Sequence, residues 1–297
     1  MKLTKGEKIY RAICIIVCTV VALLCLYPLL YTVFLSFCSD KEWVERGGMV
    51  LWLPYKPTTA GYIKIFASGT RIVKSIGISI AKTLLGTFLS LLVTGITAYV
   101  LSRRDLPGKK AYLYLVLFTI LFGGGLIPTY LTIQGLGLVN NFWVLVIPCI
   151  FSGWNMLVFK QFFENIPREI EESAEVDGVG PLGMFFRIIF PMSKPVFAAI
   201  GLFTMVGLWN SWFDAWIYID QAHNYLWPLQ LYTRVAFDSS TALNDSGLDF
   251  LITTGTEVNS TSMRMALTIV TMMPILIVYP FFQKHFSAGV YMGAVKE

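Results

Sequence analysis

The sequence predicts an all-α polytopic membrane protein, because it is apolar, poor in charge and organised in long hydrophobic runs. Of its 297 residues, 56% are hydrophobic and 14% are charged, whereas soluble domains carry roughly 25% charged residues. The runs are about 20 residues long, which matches helices that cross a hydrocarbon core about 30 Å thick. They lack the alternation of a membrane barrel, so helices are the remaining way to satisfy the backbone in lipid.

Six hydrophobic runs predict six transmembrane helices in a single domain that covers residues 1–297. The first run follows a basic start and has no small-residue cleavage site, which favours an uncleaved span over a signal peptide. No internal repeat divides the sequence. The predicted spans are about 12–36, 73–101, 111–131, 142–163, 195–218 and 263–283.

The distribution of lysine and arginine predicts which ends of the spans face the cytoplasm. Residues 1–11 and the short loop 102–110 each hold four such residues, whereas loops 132–141 and 219–262 together hold only Arg234. Both termini, and the polar stretch between the fourth and fifth spans, are therefore predicted to be cytoplasmic.

That polar stretch, residues 167–191, predicts two short helices joined by a glycine turn. Pro167 suits a helix start, because the first helical position has no partner for the missing N–H. Gly178 suits a left-handed cap that ends the first helix, and Pro181 begins a second, apolar helix that Pro191 ends. Carboxylates are favoured near the positive end of the first helix, and three are present: Glu169, Glu171 and Glu172.

This hairpin resembles the EAA signature of ABC-importer permeases, which runs E-A-A-x-x-D-G and then ends an apolar stretch in I-x-x-P or I-x-L-P. Ser173 stands where the first alanine is usual, and Phe190 stands where leucine is usual. The matching residues are Glu172, Ser173, Ala174, Asp177, Gly178, Ile188 and Pro191.

Two further segments narrow the resemblance to importers of carbohydrates. Residues 122–130 are similar to a subgroup of oligosaccharide and polysaccharide importers that includes the lipoprotein-type permeases of Gram-positive bacteria. The tail 289–296 resembles the G-x-x-x-G-A-V-K ending of permeases of the maltose-system type.

The resemblance implies a type I ABC importer permease with the MetI-like fold, six helices and a cytoplasmic coupling hairpin. It implies that the matching hairpin residues contact one of two separate ATPase subunits, which carry out ATP hydrolysis. It also implies a second permease chain, usually of different sequence, and an extracytoplasmic solute-binding protein. The implied substrate is a carbohydrate, expected to be an oligosaccharide, moved by alternating access across the bacterial cytoplasmic membrane.

Polar and aromatic residues within the spans are candidates for a substrate pathway. On a continuous fifth helix, Trp209, Trp212, Phe213 and Trp216 share one face, where rings could stack on sugars or form an aromatic belt at the outer interface. Trp209 and Asn210 lie deepest in that span. The candidate pathway residues are Trp209, Asn210, Phe213 and Gly124.

Three features leave alternatives open. The run Gly123-Gly124-Gly125 permits close helix packing or local unwinding beside the pathway. Lys82 is costly in hydrocarbon, and it could face the pathway or extend to the outer interface. The long loops 37–72 and 219–262 could form a lid, part of the aromatic belt or a platform for the binding protein.

The sequence contains no motif for ATP binding, metal binding or covalent catalysis. No G-x-x-x-x-G-K-[ST] occurs, the five cysteines lack the paired spacing of a metal site, and neither His223 nor His285 lies in a catalytic pattern. No cofactor, metal or nucleic acid is therefore predicted, and the chain is not expected to be an enzyme. The alternatives are a permease of the same fold for a non-sugar solute and a secondary transporter, which would need ion-coordinating helix pairs.

Overall fold

The computed structural model describes four stretches of the chain, and within them all regular secondary structure is helical. The described stretches are residues 4–48, 52–66, 71–238 and 260–294. Residues 239–259, within the predicted outer loop 219–262, and the last residues of the tail lie outside them.

The α-helices, numbered in chain order, are joined by short 3-10 turns at Phe142–Leu145, Ile147–Cys149 and Gln221–Leu226. They are α1 (Lys5–Ser36), α2 (Asp40–Glu45), α3 (Ala60–Phe66), α4 (Arg71–Ser102), α5 (Lys109–Leu121), α6 (Leu126–Gly135), α7 (Gly153–Glu164), α8 (Arg168–Val176), α9 (Pro181–Met192), α10 (Lys194–Asn210), α11 (Phe213–Tyr218), α12 (Leu229–Asp238) and α13 (Ser260–Ala294).

Among the described residues, three helices are long and apolar enough to cross a membrane alone, namely most of α1, α4 and part of α13. Three further apolar pairs are bent. The angle is 115° between α5 and α6, 43° between the turns at 142–149 and α7, and 84° between α9 and α10. Counting each bent pair as one span gives six, the number predicted from the sequence.

The fifth predicted span is not one continuous helix, so that part of the prediction is wrong. Helix α10 ends at Asn210, and α11 begins only at Phe213. Between them Ser211 adopts an extended backbone, with φ −70° and ψ 123°. Hydrophobicity alone did not show this break, because apolar residues continue on both sides of it.

The chain forms two compact units, one from residues 1–73 and 233–273 and the other from 74–232 and 274–297. In the first unit, α1 begins with a capping box in which Thr4 and Glu7 each bond the other's backbone N–H. Most of its apolar side chains are exposed, and only its C-terminal end is buried, around Leu35 and Cys38.

The described part of the predicted outer loop 37–72 contains one buried carboxylate, Glu42. Glu42 accepts backbone hydrogen bonds from Tyr55 at 2.6 Å and from Lys56 at 3.2 Å. It also pairs with Arg46 at 2.6 Å, and that guanidinium lies 3.8 Å from the centroid of the Tyr55 ring. These contacts therefore tie α2 to residues 55 and 56 of the following chain.

In the second unit, α4 packs against an aromatic core. The rings of Phe159 and Phe197 lie 4.4 Å apart, and Tyr99 of α4 lies 5.6 Å from Phe185 of α9. A Cβ placed on Gly95 would lie 2.9 Å from the Phe197 ring, so glycine permits this close approach. The core therefore joins α4, α7, α9 and α10.

The inward face of α4 also carries buried hydroxyl groups, which follow one another at steps of three or four residues from Ser75 to Thr94. Ser79 Oγ accepts from the Leu229 N–H at 2.8 Å and donates to Gln230 at 3.2 Å. Thr94 Oγ1 accepts from the Ser152 N–H at 3.3 Å. The buried hydroxyl residues on this helix are Ser75, Ser79, Thr83, Thr87, Ser90, Thr94 and Ser102.

Candidate functional site

The first helix of the hairpin, α8, is amphipathic and shows one apolar side to the core. Pro167 is the residue just before the helix, with φ −58° and ψ 133°, rather than its first residue. Glu169 and Glu171 lie in the first turn, where the helix dipole favours them. Ala174 is buried in the aromatic core cluster, so the opposite, acidic side of the helix faces outward.

Gly178 ends α8 in a Schellman turn, as its position in the sequence predicted. Its φ is 77°, its N–H bonds to the Glu175 carbonyl at 3.0 Å, and the Val179 N–H bonds to the Ala174 carbonyl at 3.0 Å. A Cβ at this position would meet nothing within 4 Å. The requirement for glycine is therefore conformational and not a matter of space.

The second helix, α9, begins at Pro181 and contains a π-helical segment, Met184–Ile189. Pro191 has no N–H to donate to the preceding turn, and just before it the Phe190 N–H bonds five residues back to Phe185. The helix ends at Met192, one residue after the predicted Pro191, and α10 then leaves at 84°.

The residues matched to the EAA signature divide into an outer and an inner group. Ala174 is buried and Ile188 packs against the same core, whereas the other five are exposed: Glu172, Ser173, Asp177, Gly178 and Pro191. Large apolar side chains at the same tip are also uncovered, with Val176 88% and Leu182 68% exposed. Apolar side chains beside carboxylates at an exposed tip form a surface suited to another protein.

Arg103, immediately after α4, joins this hairpin to the second span. Its Nη1 donates to Glu171 Oε2 at 3.0 Å, and its Nη2 donates to Glu175 Oε1 at 2.9 Å. Nη1 also donates to the Tyr99 hydroxyl at 3.1 Å, and Nε donates to Asp105 at 3.4 Å. The hydrogen bond to Glu175 raises the pKa of Arg103 further above its usual range, so the guanidinium stays charged.

Sequence reasoning missed this contact because it used Arg103 only as an orientation signal. A usable signal was present, since Glu171 and Glu175 lie four residues apart and must share a side of a helix. Nothing in the sequence indicated which cation would meet them, because the chain separation is 68 residues for Glu171 and 72 for Glu175.

A second ionic cluster lies beside the first. Lys109 donates to the Ser102 carbonyl at 3.1 Å and to Glu164 at 3.0 Å, while Lys160 donates to the other oxygen of Glu164 at 2.8 Å. Polar side chains from both clusters line one cavity of about 860 Å³. Arg103 therefore links the end of α4 to α8, and Lys109 links the start of α5 to the ends of α4 and α7.

The predicted aromatic face of the fifth span is wrong, because the chain breaks between α10 and α11. Trp209 is buried and lines an apolar cavity of about 180 Å³ whose walls come from α4, α10 and α13. Trp212, Phe213 and Trp216 form a separate cluster beyond the break, with ring centroids 5.8–6.1 Å apart. Asn210, the last residue of α10, is exposed at the break.

Lys82 lies buried against this break. It is 1% exposed, and its Nζ donates to the Ser211 carbonyl oxygen at 2.7 Å. Ser211 Oγ in turn donates to Asp214 at 3.1 Å. Carbonyls at a helix C-terminus have no partner within the helix, so the ammonium supplies one.

The glycine run is unwound, and the alternative of close packing within the chain is wrong. Residues 122–125 are not helical, and Gly125 has φ 83°. A Cβ on Gly123 or Gly125 would meet nothing within 4 Å, and one on Gly124 would meet only Pro128 at 3.7 Å. The glycines therefore serve the bend between α5 and α6.

The loops after α6 and α11 are joined by an amide–carboxylate pair. Asn140 Nδ2 donates to Asp220 at 2.8 Å, and the Asp220 N–H donates back to Asn140 at 2.9 Å. His223 also donates from Nδ1 to Asp220 at 2.7 Å, and this hydrogen bond lowers the pKa of Asp220. His223 thus lies in a solvated loop, and no described group around it forms a catalytic arrangement.

The described residues form a helical membrane fold with an exposed acidic hairpin between the predicted fourth and fifth spans. The chain belongs to the family of inner membrane components of binding-protein-dependent transport systems, which it matches over residues 5–291. As a member of this family it is the permease subunit, and not an enzyme, of a transport system that depends on a solute-binding protein. The alternative of a secondary transporter is therefore wrong.

Two relatives from Bacillus subtilis (strain 168) are each 36% identical to this chain. One is the polygalacturonan/rhamnogalacturonan transport system permease protein YtcP, matched over 93% of this chain and 94% of the relative. The other is the protein LplC, matched over 99% and 97%.

A solved structure is similar as well. It is a chain of a bacterial ABC transporter involved in the import of the acidic polysaccharide alginate, with 26% identity and a TM-score of 0.86. The match covers 96% of this chain and 99% of that one.

Proposed function

We propose that this chain is one permease subunit of an ABC importer that moves an oligosaccharide into a bacterial cell by alternating access. The observation that carries the substrate class is the likeness, over nearly the whole chain, to permeases whose names or titles specify polysaccharide transport. The carbohydrate-type segment at 122–130 supports the same class from within the sequence. A permease of this fold for a non-sugar solute is the second candidate.

The complete importer would contain two ATPase subunits, a second permease chain of different sequence and an extracytoplasmic solute-binding protein. The excess of lysine and arginine in residues 1–11 and 102–110 supports a cytoplasmic position for both termini and for the hairpin. The importer would lie in the bacterial cytoplasmic membrane. ATP would bind and be hydrolysed on the partner subunits.

The hairpin would be the element that transmits ATPase closure to the membrane helices. Its exposed tip combines two carboxylates, Glu172 and Asp177, with uncovered apolar side chains at Val176 and Leu182. This mixture suits a groove on the ATPase that accepts a helix. The rigid Schellman turn at Gly178 would pass a displacement of α8 on to α9.

The substrate pathway would run beside the break in the fifth span and the unwound glycines. Asn210 is exposed there and can bond sugar hydroxyls, and the ring of Phe213 is 43% exposed. Trp209 lines an apolar cavity, which offers a stacking surface but few partners for hydroxyls. Gly124 would let the backbone approach the pathway closely.

Uptake into proteoliposomes tests this function. The permease pair and ATPase subunits would be reconstituted with the binding protein, and uptake of labelled acidic oligosaccharides, neutral oligosaccharides and glycerol phosphate would be compared. We expect ATP-dependent uptake of an oligosaccharide and no uptake of glycerol phosphate. Uptake of glycerol phosphate with no oligosaccharide transport would favour the second candidate.

A further inference from the structure

The contact between Arg103 and α8 has a geometry that fixes orientation as well as distance. The two terminal nitrogens of one guanidinium bond Glu171 and Glu175 separately, at 3.0 and 2.9 Å. These carboxylates are one helical turn apart. Two contacts along the axis of α8 resist its rotation about either contact, which one ion pair cannot do.

Arg103 is itself held in position from the side of α4. The Tyr99 hydroxyl accepts from Nη1, and the Tyr99 ring is 3% exposed in the aromatic core. That ring lies 5.6 Å from Phe185, in the second helix of the hairpin. The last turn of α4 therefore contacts α8 through charge and α9 through ring packing.

We propose that Arg103 is the positioning residue that makes the second span move together with the coupling hairpin when the ATPase subunits close. This inference rests on the coupling role proposed for the hairpin. A planar guanidinium suits it because its N–H groups point in fixed directions. A lysine presents its N–H groups from a single rotating nitrogen, so it does not fix the two carboxylates at two separate points.

A plain surface ion pair is the competing interpretation. The side chains of Arg103, Glu171 and Glu175 are 30%, 22% and 51% exposed, so the contacts contribute modestly to the stability of the subunit. If the ion pairs only stabilise the subunit, removing each one should lower the free energy of unfolding slightly and independently of the others. A positioning role predicts that ATP hydrolysis and transport become uncoupled while the subunit remains folded and assembled.

The test is the ratio of ATP hydrolysed to solute transported, measured in proteoliposomes with the ATPase subunits, the second permease and the loaded binding protein. Arg103→Gln is expected to raise this ratio about threefold to tenfold, the loss typical of charge-assisted hydrogen bonds in partly exposed positions. The ATPase should still co-purify with the variant. Arg103→Lys should give an intermediate ratio.

Two matched variants separate the contact from the charge. Arg104→Gln removes the same charge from the next residue, whose side chain is exposed, and should leave the ratio unchanged. Glu171→Gln combined with Glu175→Gln should raise the ratio as much as Arg103→Gln does. Adding Arg103→Gln to that pair should then have no further effect, because the interaction is already gone.

A wild-type ratio in Arg103→Gln, or effects that simply add in the triple variant, would overturn the proposal. Gly178→Val and Glu172→Lys, measured in parallel, show which idea has failed. If they impair coupling while Arg103→Gln does not, only the role of Arg103 is wrong. If they too couple normally, the hairpin is not the coupling element and both ideas fall.

Discussion

The ammonium group of Lys82 and the carbonyl oxygen of Ser211 form a 2.7 Å hydrogen bond across 129 residues of sequence. This bond satisfies a backbone group where the fifth span stops being helical. It explains why a cation is tolerated in the second span, because the alternative is an unpaired charge in an apolar surrounding.

Removing this amine is expected to destabilise the subunit. Lys82→Met keeps the length of the side chain but leaves the Ser211 carbonyl without its donor, a loss of about 1–3 kcal/mol. Thermal unfolding of the purified protein in detergent should show a lower Tm. Lys74→Met is the control, since Lys74 is exposed on the same helix; equal Tm values for both variants would contradict the account.

The turn at Gly178 should tolerate no branched residue. Gly178→Val places a Cβ at φ 77° and should cost roughly 1–3 kcal/mol of backbone strain, with loss of transport stimulated by the binding protein. Gly180→Val is the matched control, because Gly180 has φ −70° and open space around it. Co-purification with the ATPase and the rate of ATP hydrolysis would be measured for both variants. A defect of the same size in both would show that the positive φ of Gly178 is not the cause of the defect.

The proposed topology predicts that the hairpin and the loop after α11 are labelled from opposite sides. Single cysteines would replace Val176, which is 88% exposed, and Tyr225, which is 54% exposed, in a background free of the five native cysteines. An impermeant thiol reagent added to intact cells should label only the cysteine at position 225. Labelling of position 176 in intact cells would contradict the cytoplasmic position predicted for the hairpin.

Substitutions of Trp209 and Asn210, the last two residues of α10, should affect substrate uptake to different extents. Asn210→Ala is expected to lower uptake about fivefold at unchanged assembly, since one lost hydrogen bond is worth about 1 kcal/mol. Trp209→Phe keeps an aromatic wall in the apolar cavity and should be milder. Transport assays with the binding protein present compare uptake by the two variants. Wild-type uptake by the Asn210→Ala variant would exclude Asn210 from the pathway.

The sequence predicted well wherever short-range geometry decides the structure. Gly178 was placed at a left-handed cap because the residues around it form a recognisable helix end. The hydrophobic runs likewise gave the number of apolar elements. Orientation of the termini and the roles of the hairpin residues stay predictions.

The features that sequence reasoning missed depend on long-range contacts. The break at Ser211 is stabilised by Lys82, and the hairpin is held by Arg103. Neither partner is marked by spacing along the chain. For Lys82, hydrophobicity showed only that the charge was costly. Whether the amine lay on the pathway, at the interface or against a carbonyl depended on the packing of α4 and α10.

On the exposed apolar surface of α1, a substitution from an apolar to a charged residue is costly, whereas it is usually tolerated on the surface of a water-soluble protein. This helix has 32 residues and a length of about 48 Å at 1.5 Å per residue. Side chains such as Val21 and Leu24, 53% and 68% exposed, meet hydrocarbon or a neighbouring subunit rather than water. A lysine there, harmless on a water-soluble protein, would cost about 2.5–3.5 kcal/mol at the centre of a membrane helix. Along this helix, apolar residues are therefore needed on the outside of the molecule.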